Sequence, residues 1–252
     1  MQLTVLGCSA GIGGARRTTS LLLDDDILID AGSGAGELSL DEMARVDHVF
    51  LTHSHLDHSG FLPLLADAAA FMRDKPLLAH ALPETIEALK SGMFNGALWP
   101  DYTVKPSPEK PYIRLVPIAV GVPISIGNRI ITPLPVCHSV PALGYCMDSG
   151  KASFAFSGDT AYCEEFWDAL NGIENLRYLM IEVTLLNAQA ASGSGHMSAE
   201  LLVQGLNRLK RKVELFITHL EPGKEERVMD EVGIACERFS PVRMRQGQQF
   251  IF

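Results

Sequence analysis

One short segment carries three histidines and an aspartate: His53, His55, Asp57 and His58 lie within six residues, directly after an apolar run at 49–52. The run has the length and composition of a buried strand, and strand ends that face a crevice are where α/β proteins place their sites. Imidazole and carboxylate groups suit zinc and similar divalent ions, but four in one turn are too many for a single ion with an open catalytic position. A core or surface role explains any one histidine. The four together predict a site for two metal ions.

Further ligand candidates follow apolar runs elsewhere in the chain. His138, Asp159 and His219 each come just after such a run, so they repeat the placement of the first motif. Taken alone, each would more often be a loop residue or a helix cap. Their shared position predicts that they complete the ligand set, and the two carboxylate oxygens of Asp159 could bridge two ions.

A histidine and a carboxylate are the candidates for proton transfer. His196 follows the small-residue loop 190–195, which we expect to be mobile, and precedes Ser198, the predicted cap of a helix. A histidine on such a loop beside a metal centre is suited to act as a general acid. Glu182, after the predicted strand 178–181, could orient it by accepting its other N–H. Helix capping geometry alone would also explain His196.

The other histidines and one aromatic segment carry weaker signals. His48 begins the predicted strand before the motif and His80 ends the next strand, so we assign structural roles to both. The irregular segment 91–111 carries Phe94 and Trp99, whose rings could either stack on a nucleotide base or pack in the core.

The composition limits the classes of partner. The 252 residues carry a formal net charge of −9, whereas long contact with a phosphate backbone needs clustered Lys and Arg, so we expect no extended nucleic acid partner. A small anionic substrate stays compatible, because bound divalent ions would reverse the local field. Five scattered cysteines without a CxxC spacing are typical of a reducing compartment. With no signal-peptide pattern and no apolar run of membrane length, we expect a cytoplasmic location and no membrane partner.

The apolar pattern predicts an α/β protein. Short apolar runs typical of strands occur in both halves of the chain: 3–6, 20–23, 27–29, 49–52, 77–79, 113–117, 129–136, 144–147, 153–156, 178–181 and 215–218. Two successive strand-rich halves, each closed by helices, favour a four-layer sandwich of two sheets flanked by helices. Because no linker composition interrupts the chain, we expect residues 1–252 to form one domain.

These motifs resemble those of the metallo-β-lactamase superfamily, over essentially the whole chain. The likeness rests on Asp30 in an Ile-Asp-Ala-Gly run, on the HxHxDH segment that starts at His53, and on the runs that contain His138, Asp159 and His219. The resemblance implies the metallo-β-lactamase-type αββα fold and a metal-dependent hydrolase.

The resemblance also implies how the ligands divide between the ions. Three histidines would hold one ion: His53, His55 and His138. Two histidines and a carboxylate would hold the other: Asp57, His58 and His219. Asp159 would bridge the ions, Asp57 would also serve in catalysis, and Asp30 would support the histidine loop without binding metal. Zn²⁺ suits this mixed set best, and Mn²⁺ or iron would also fit.

Within the superfamily the chain is similar to the phosphodiesterase branch that contains class II cyclic-nucleotide phosphodiesterases and RNase Z. Glu182 and His196 match a proton-handling pair that RNase Z keeps. The segments 84–89, 94–95, 98–101 and 218–223 are similar to the cyclic-nucleotide enzymes in particular. The resemblance implies a small-molecule phosphodiester substrate and a homodimer.

These features predict a two-metal phosphodiesterase that hydrolyses 3′,5′-cyclic nucleotides (cAMP or cGMP) to 5′-nucleotides. The ions would lower the pKa of a bound water towards ~7, and His196 would protonate the departing 3′ oxygen. Two departures keep alternatives open: Ser59 stands where the cyclic-nucleotide enzymes have an aliphatic residue, and no insertion resembles the basic tRNA-binding arm of RNase Z. The alternatives are another hydrolase of this fold (RNase Z-like, another phosphodiesterase, a thioesterase or a lactonase) or a non-enzymatic binding protein.

Overall fold

The computed structural model describes residues 1–192 and 195–252, so the loop expected to be mobile at 190–195 falls partly outside the described residues. The strands follow in chain order: β1 (Gln2–Gly7), β2 (Ser20–Leu23), β3 (Ile27–Ile29), β4 (His48–Phe50), β5 (Leu77–Ala81), β6 (Pro106–Ser107), β7 (Lys110–Pro111), β8 (Ile113–Pro117), β9 (Ile124–Ile126), β10 (Arg129–Pro135), β11 (Leu143–Asp148), β12 (Ser153–Phe156), β13 (Leu176–Glu182), β14 (Glu214–Thr218), β15 (Val242–Arg243) and β16 (Gln249–Ile251).

The strands of the described ranges form two seven-stranded sheets and one short two-stranded ribbon. The first sheet has the order β16-β1-β2-β3-β4-β5-β8, and the second has the order β15-β14-β13-β12-β11-β10-β9. Each sheet combines an antiparallel part with a parallel part, which runs from β3 through β4 and β5 to β8 in the first sheet and from β12 to β15 in the second. The two strand-rich halves predicted from the apolar pattern correspond to the two sheets, except that the C-terminal strand β16 joins the first sheet beside β1.

Seven α-helices are found in the described part of the chain: α1 (Leu40–Arg45), α2 (Leu56–Ser59), α3 (Leu62–Ala69), α4 (Pro83–Gly92), α5 (Glu164–Asn171), α6 (Ala199–Leu206) and α7 (Glu225–Ala235). Shorter 3₁₀ helices also occur: Ser33–Glu37, Ala70–Met72, Asn187–Ser192 and Glu237–Phe239. The cap predicted for α6 is confirmed, because the side chain of Ser198 accepts a hydrogen bond from the backbone N–H of Leu201. Within the same ranges, none of the helices combines the length and apolar character that crossing a membrane requires.

The side-chain alternation of the strands separates three hydrophobic layers. On β3, Ile27 and Ile29 face the core between the two sheets, whereas Leu28 faces the outer core under α3 and α4. On β13, Met180 faces the inter-sheet core and Ile181 faces the outer core under α5, α6 and α7. Successive residues of a strand point to opposite faces, so each sheet buries both of its faces. The predicted four-layer αββα sandwich is confirmed.

The parallel parts of the two sheets bring several strand ends to one edge of the sandwich. In the second sheet β12, β13 and β14 run in one direction, and β10 shares it because both β10 and β12 are antiparallel to β11. The first sheet meets this edge where the N–H of Leu143 donates to the carbonyl of Thr52, just beyond β4, at 2.9 Å. The residues that follow β4, β10, β12 and β14 therefore converge, which is the physical basis of the site.

Candidate metal centre

The seven predicted ligands come together in two adjoining groups. In the first group, one ligand atom from each residue lies within 4.8 Å of the others: His53, His55, His138 and Asp159. The second group satisfies the same limit: Asp57, His58, Asp159 and His219. Asp159 is common to both groups, which is the geometry expected of a bridging carboxylate. The roles of these seven residues as metal ligands stay predictions.

The first four ligands are arranged by a tight turn. His55 is the N-cap of α2, and its carbonyl accepts a hydrogen bond from the backbone N–H of His58 at 3.0 Å. This turn leaves Leu56 70% exposed while it buries His58 completely. Ser59, the departure from the cyclic-nucleotide pattern, is also buried, and its hydroxyl lies 3.0 Å from the carbonyls of Ser54 and His55. Its hydroxyl therefore supports the turn from inside and does not line an open cleft.

Asp30 holds the histidine turn from below without joining either group. The backbone N–H of Thr52 donates to Asp30 Oδ1 at 2.7 Å, and His58 Nδ1 lies 2.7 Å from Asp30 Oδ2. With Nδ1 occupied in this way, His58 directs Nε2 towards Asp159 Oδ1, 3.3 Å away. A carboxylate that orients a metal-ligating histidine through its other nitrogen is a common feature of metal sites.

His53 provides the clearest test of whether these residues suit a metal ion. Its Nδ1 lies 3.0 Å from Thr52 Oγ1, but its buried Nε2 has no hydrogen-bond partner in the described ranges. An unsatisfied buried nitrogen costs roughly 1–3 kcal/mol. The same atom is 3.7 Å from Asp159 Oδ2, so a cation between them would satisfy both groups. The donor set of five imidazoles and two carboxylates therefore fits divalent ions.

The protonation states of His53 and Asp159 also favour metal binding. Burial, followed by the charge of His58, holds the pKa of His53 well below its usual range, so the ring is neutral. Burial alone would raise the pKa of Asp159, but the charges of His219 and His58 outweigh it and hold this pKa well below the usual range. A neutral imidazole and an ionised carboxylate are the forms that bind metal.

Two further histidines are oriented by neighbours that the sequence did not single out. His138 Nδ1 lies 2.8 Å from the carbonyl oxygen of Gly195, which turns its Nε2 towards His55. His219 Nδ1 lies 3.0 Å from Thr184 Oγ1, which leaves its Nε2 3.2 Å from Asp57 Oδ2. A residue that orients a predicted ligand through one hydrogen bond does not stand at a characteristic spacing in the sequence. The roles of Gly195 and Thr184 are therefore visible only in the folded structure.

The predicted pair His196 and Glu182 is adjacent to this cluster. His196 Nδ1 lies 2.8 Å from Glu182 Oε1, and the His196 ring stacks on the His219 ring with centroids 5.6 Å apart. Glu182 is fully buried, where the N–H of Thr160 and the hydroxyl of Thr184 donate to its two oxygens at 3.0 and 2.9 Å. Burial lowers the pKa of His196, but the hydrogen bond and the charge of Glu182 outweigh it and raise this pKa to about 9.

The structure places the weaker candidates away from the cluster. His48 and His80 lie side by side on β4 and β5, with His48 Nδ1 and His80 Nε2 2.9 Å apart, and both are outside the two ligand groups. The structural role assigned to them stays a prediction, and the buried Nδ1 of His80 has no hydrogen-bond partner among the described residues. Phe94 is buried and Trp99 is half-buried, and both pack in the outer core beside α3 and α4. Of the two interpretations left open for these aromatic rings, the geometry favours core packing.

Comparison with known proteins places the chain in a family. The Beta-lactamase superfamily domain matches residues 26–220. Ribonuclease Z of Methanococcus maripaludis strain C6 is 32% identical over 156 residues, which are 58% of this chain and 48% of that protein, so the chain spans about half the length of this relative. Among solved structures, YhfI from Bacillus subtilis has a TM-score of 0.79 at 21% identity, with 99% of each chain covered. Yeast PDE1 has a TM-score of 0.82 at 17% identity, with 100% of this chain and 99% of the yeast chain covered.

The two structural likenesses show the fold, and the family match covers more than three quarters of the chain. The match includes the HxHxDH segment, His138, Asp159 and His219. The chain therefore belongs to the metallo-β-lactamase superfamily of metal-dependent hydrolases. Its similarity to ribonuclease Z extends over part of its length.

Proposed function

We propose that this protein is a two-metal phosphodiesterase that hydrolyses 3′,5′-cyclic nucleotides to 5′-nucleotides. The observation that carries the proposal is the hydrogen bond between His196 and buried Glu182 beside the two ligand groups. Hydrolysis of a phosphodiester expels an alkoxide, a poor leaving group that benefits from a positioned proton donor. The sequence likeness of the segments 84–89, 94–95, 98–101 and 218–223 to cyclic-nucleotide enzymes supports the choice of substrate.

The seven ligands would hold two divalent ions, for which Zn²⁺ suits the donor set best and Mn²⁺ or iron is an alternative. When bound, such ions provide a water nucleophile at neutral pH and neutralise charge on the phosphate oxygens. Asp57 is the most accessible carboxylate of the set, with its side chain 29% exposed. We assign it a second role, in which it accepts a proton from the attacking water.

His196 is the proposed proton donor for the leaving oxygen. Because Glu182 occupies Nδ1 of His196, the Nε2–H of this ring is the group left to face a substrate. As the bond between phosphorus and the 3′ oxygen breaks, His196 donates this proton to the oxygen and becomes neutral. Thr160 and Thr184 keep Glu182 in place through its two oxygens, so the imidazole has one orientation.

An RNase Z-like activity is the second candidate. The observation in its favour is the 32% identity to the ribonuclease Z of Methanococcus maripaludis. Two features weigh against a tRNA substrate: the net charge of −9, and a sequence without an insertion that resembles a basic binding arm. We therefore favour a small phosphodiester.

A substrate panel distinguishes these activities. Purified protein is analysed for bound metal and then assayed on cAMP, cGMP, bis(p-nitrophenyl) phosphate, a precursor tRNA, a thioester and a lactone. We expect release of 5′-AMP or 5′-GMP together with cleavage of the chromogenic diester. Cleavage of precursor tRNA without turnover of either cyclic nucleotide would favour the RNase Z-like alternative. Turnover confined to the thioester or lactone would exclude the phosphodiesterase, and absence of metal would favour a binding protein.

A further inference from the structure

Two cysteines that are far apart in the sequence meet beside the metal centre. Cys137 is exposed and directly precedes the predicted ligand His138, whereas Cys163 is buried and forms the N-cap of α5, four residues after Asp159. Their Sγ atoms lie 2.7 Å apart. The scattered spacing of the cysteines in the sequence gives no sign of this pair.

The backbone already holds the two cysteine-bearing loops together. The N–H of Cys137 donates to Thr160 Oγ1 at 3.1 Å, and the N–H of Ala161 donates to the carbonyl of Cys137 at 2.7 Å. An S–S bond is ~2.0 Å long, so the two sulfur atoms need to approach by only about 0.7 Å. A side-chain adjustment is enough for this, and the hydrogen bonds between the loops can persist.

We propose that Cys137 and Cys163 are an oxidisable dithiol whose reversible disulfide locks together the two loops that carry His138 and Asp159. Cys137 is next to His138, a predicted ligand of one ion, and Cys163 lies in the loop after Asp159, the predicted ligand of both ions. The bond would therefore connect the two loops that carry these ligands. Because the two loops already contact each other, we expect oxidation to restrict their motion without changing the positions of His138 and Asp159. The proposed function assigns no role to either cysteine.

The reaction balances with hydrogen peroxide as the oxidant. The exposed sulfur of Cys137 attacks one peroxide oxygen, the O–O bond breaks, and the departing oxygen takes up the thiol proton, so that a sulfenic acid and one water form. Cys163 then attacks that sulfur and the S–O bond breaks, which releases a second water and forms the disulfide. Burial raises the pKa of Cys163 to about 12, so it stays a thiol until attack. Its Sγ lies 3.5 Å from Glu165 Oε2, an oxygen positioned to accept the departing proton.

The test uses the purified metal-loaded protein treated with one equivalent of hydrogen peroxide. We expect the mass to fall by about 2 Da, two titratable thiols to be lost, and peptide mapping to link Cys137 to Cys163. Dithiothreitol should restore both thiols. For a loop of this length the cross-link should raise Tm by roughly 5–10 °C, and it should slow the release of metal to a chelator.

Two variants sharpen the result. Cys137→Ala changes an exposed residue and should abolish the mass loss, the rise in Tm and the slower metal release. Cys8→Ala removes a half-buried thiol that has no cysteine neighbour among the described residues, and should retain all three. Oxidation of Cys137 to a sulfinic acid without a cross-link, or a disulfide that involves another cysteine, would overturn the proposal. Since Glu165 lies near both thiols, a third bound ion that protects both cysteines from peroxide would also overturn it, in favour of a metal site.

Discussion

At the scale of single residues, His196 lies beside the predicted ligands without belonging to them. Its ring is 5.0 Å from that of His138 and 5.6 Å from that of His219, and its hydrogen bond goes to Glu182. Its contribution can therefore be separated experimentally from metal binding.

We expect His196→Ala to keep two bound ions per chain and to lower kcat on a cyclic nucleotide by roughly 10²–10⁴-fold, which is the usual cost of losing a general acid. Metal analysis and initial-rate kinetics measure the two quantities. Bis(p-nitrophenyl) phosphate is the internal control, because p-nitrophenolate leaves without a proton and its cleavage should fall much less. Unchanged turnover of the cyclic nucleotide would exclude the assigned role.

Gly195 is the residue that links the His196 segment to a metal ligand. It has a φ of +79°, and a Cβ at this position would meet the N atom of Ser139 at 2.9 Å and Nδ1 of His138 at 3.1 Å. Its carbonyl also orients the His138 ring. Any side chain here therefore strains the backbone and displaces the partner of a ligand.

We expect Gly195→Ala to weaken metal affinity by roughly 10–100-fold, the range found when the partner of a ligating histidine is lost. Competition with a chromogenic chelator gives the dissociation constant. Gly150→Ala is the matched control, since Gly150 has the same φ of +79° with no atom within 4 Å of an added Cβ. Equal effects of the two substitutions would mean that backbone strain alone is responsible.

At the scale of secondary-structure elements, α6 depends on a close approach to the neighbouring helix. A Cβ at Gly205 would lie 2.0 Å from Cε2 of Trp167, a fully buried residue of α5. In an exposed helix a change from glycine to alanine stabilises by about 1 kcal/mol through the unfolded chain. Here the added Cβ clashes with an indole ring that has no space to move. The cost of this overpacking exceeds the gain, so the substitution should destabilise the protein.

We expect Gly205→Ala to lower the free energy of unfolding by roughly 1–3 kcal/mol. Gly233→Ala in α7, where an added Cβ meets nothing within 4 Å, should raise it by up to about 1 kcal/mol. Urea unfolding of the three proteins measures both effects. A stabilised Gly205→Ala protein would contradict the packing described for α5 and α6.

The adjacent strands β4 and β5 carry a histidine pair that makes stability depend on pH. Burial, and then the neighbouring His48, lowers the pKa of His80 from 6.5 to about 4. The unfolded chain therefore binds a proton near pH 6.5 that the folded chain binds only near pH 4. Stability is lost as the pH falls through this window, by at most ~3 kcal/mol.

His80→Phe removes this titration and keeps an aromatic ring against Phe50, on which His80 stacks with centroids 4.3 Å apart. Between pH 7 and pH 4.5, we expect the variant to lose about 2 kcal/mol less stability than the original protein. Urea unfolding of both proteins with a chelator present gives the comparison, in which the titration of the histidines of the ligand groups cancels. Parallel losses would show that His80 does not titrate in this window.

At the scale of the whole molecule, the metal centre lies where the two sheets meet. His53 and its neighbours in the motif follow a strand of the first sheet, whereas His138, Asp159 and His219 follow strands of the second. Ions bound by both sets would therefore connect the two sheets. The expectations of one domain over residues 1–252, a homodimer and a cytoplasmic location stay predictions.

Removal of metal should consequently destabilise the entire sandwich. At a metal concentration of about 100 Kd, binding stabilises the folded state by ~2.7 kcal/mol, so we expect a chelator to lower Tm by roughly 5–10 °C. Calorimetry should record one transition for the metal-loaded protein if residues 1–252 form a single cooperative domain. Two separate transitions would contradict that organisation, and an unchanged Tm would show that the ions do not couple the sheets.

The sequence by itself determined the chemistry of the site and the class of fold. The predicted ligands from His53 to His58 lie within one turn, and the strands are short apolar runs, so local spacing is enough to predict both. His138, Asp159 and His219 could be added because parallel strands bring their carboxyl ends to a common edge.

Only the tertiary structure decided which groups support that chemistry. Cys137 and Cys163 are 26 residues apart, and His138 is 57 residues from the carbonyl of Gly195. The positions of Phe94 and Trp99 in the core likewise depended on how the segment after α4 packs. Such contacts arise from strand order and loop path, which single-chain patterns do not encode, because a hydrogen bond between distant residues leaves no periodic signal in either segment.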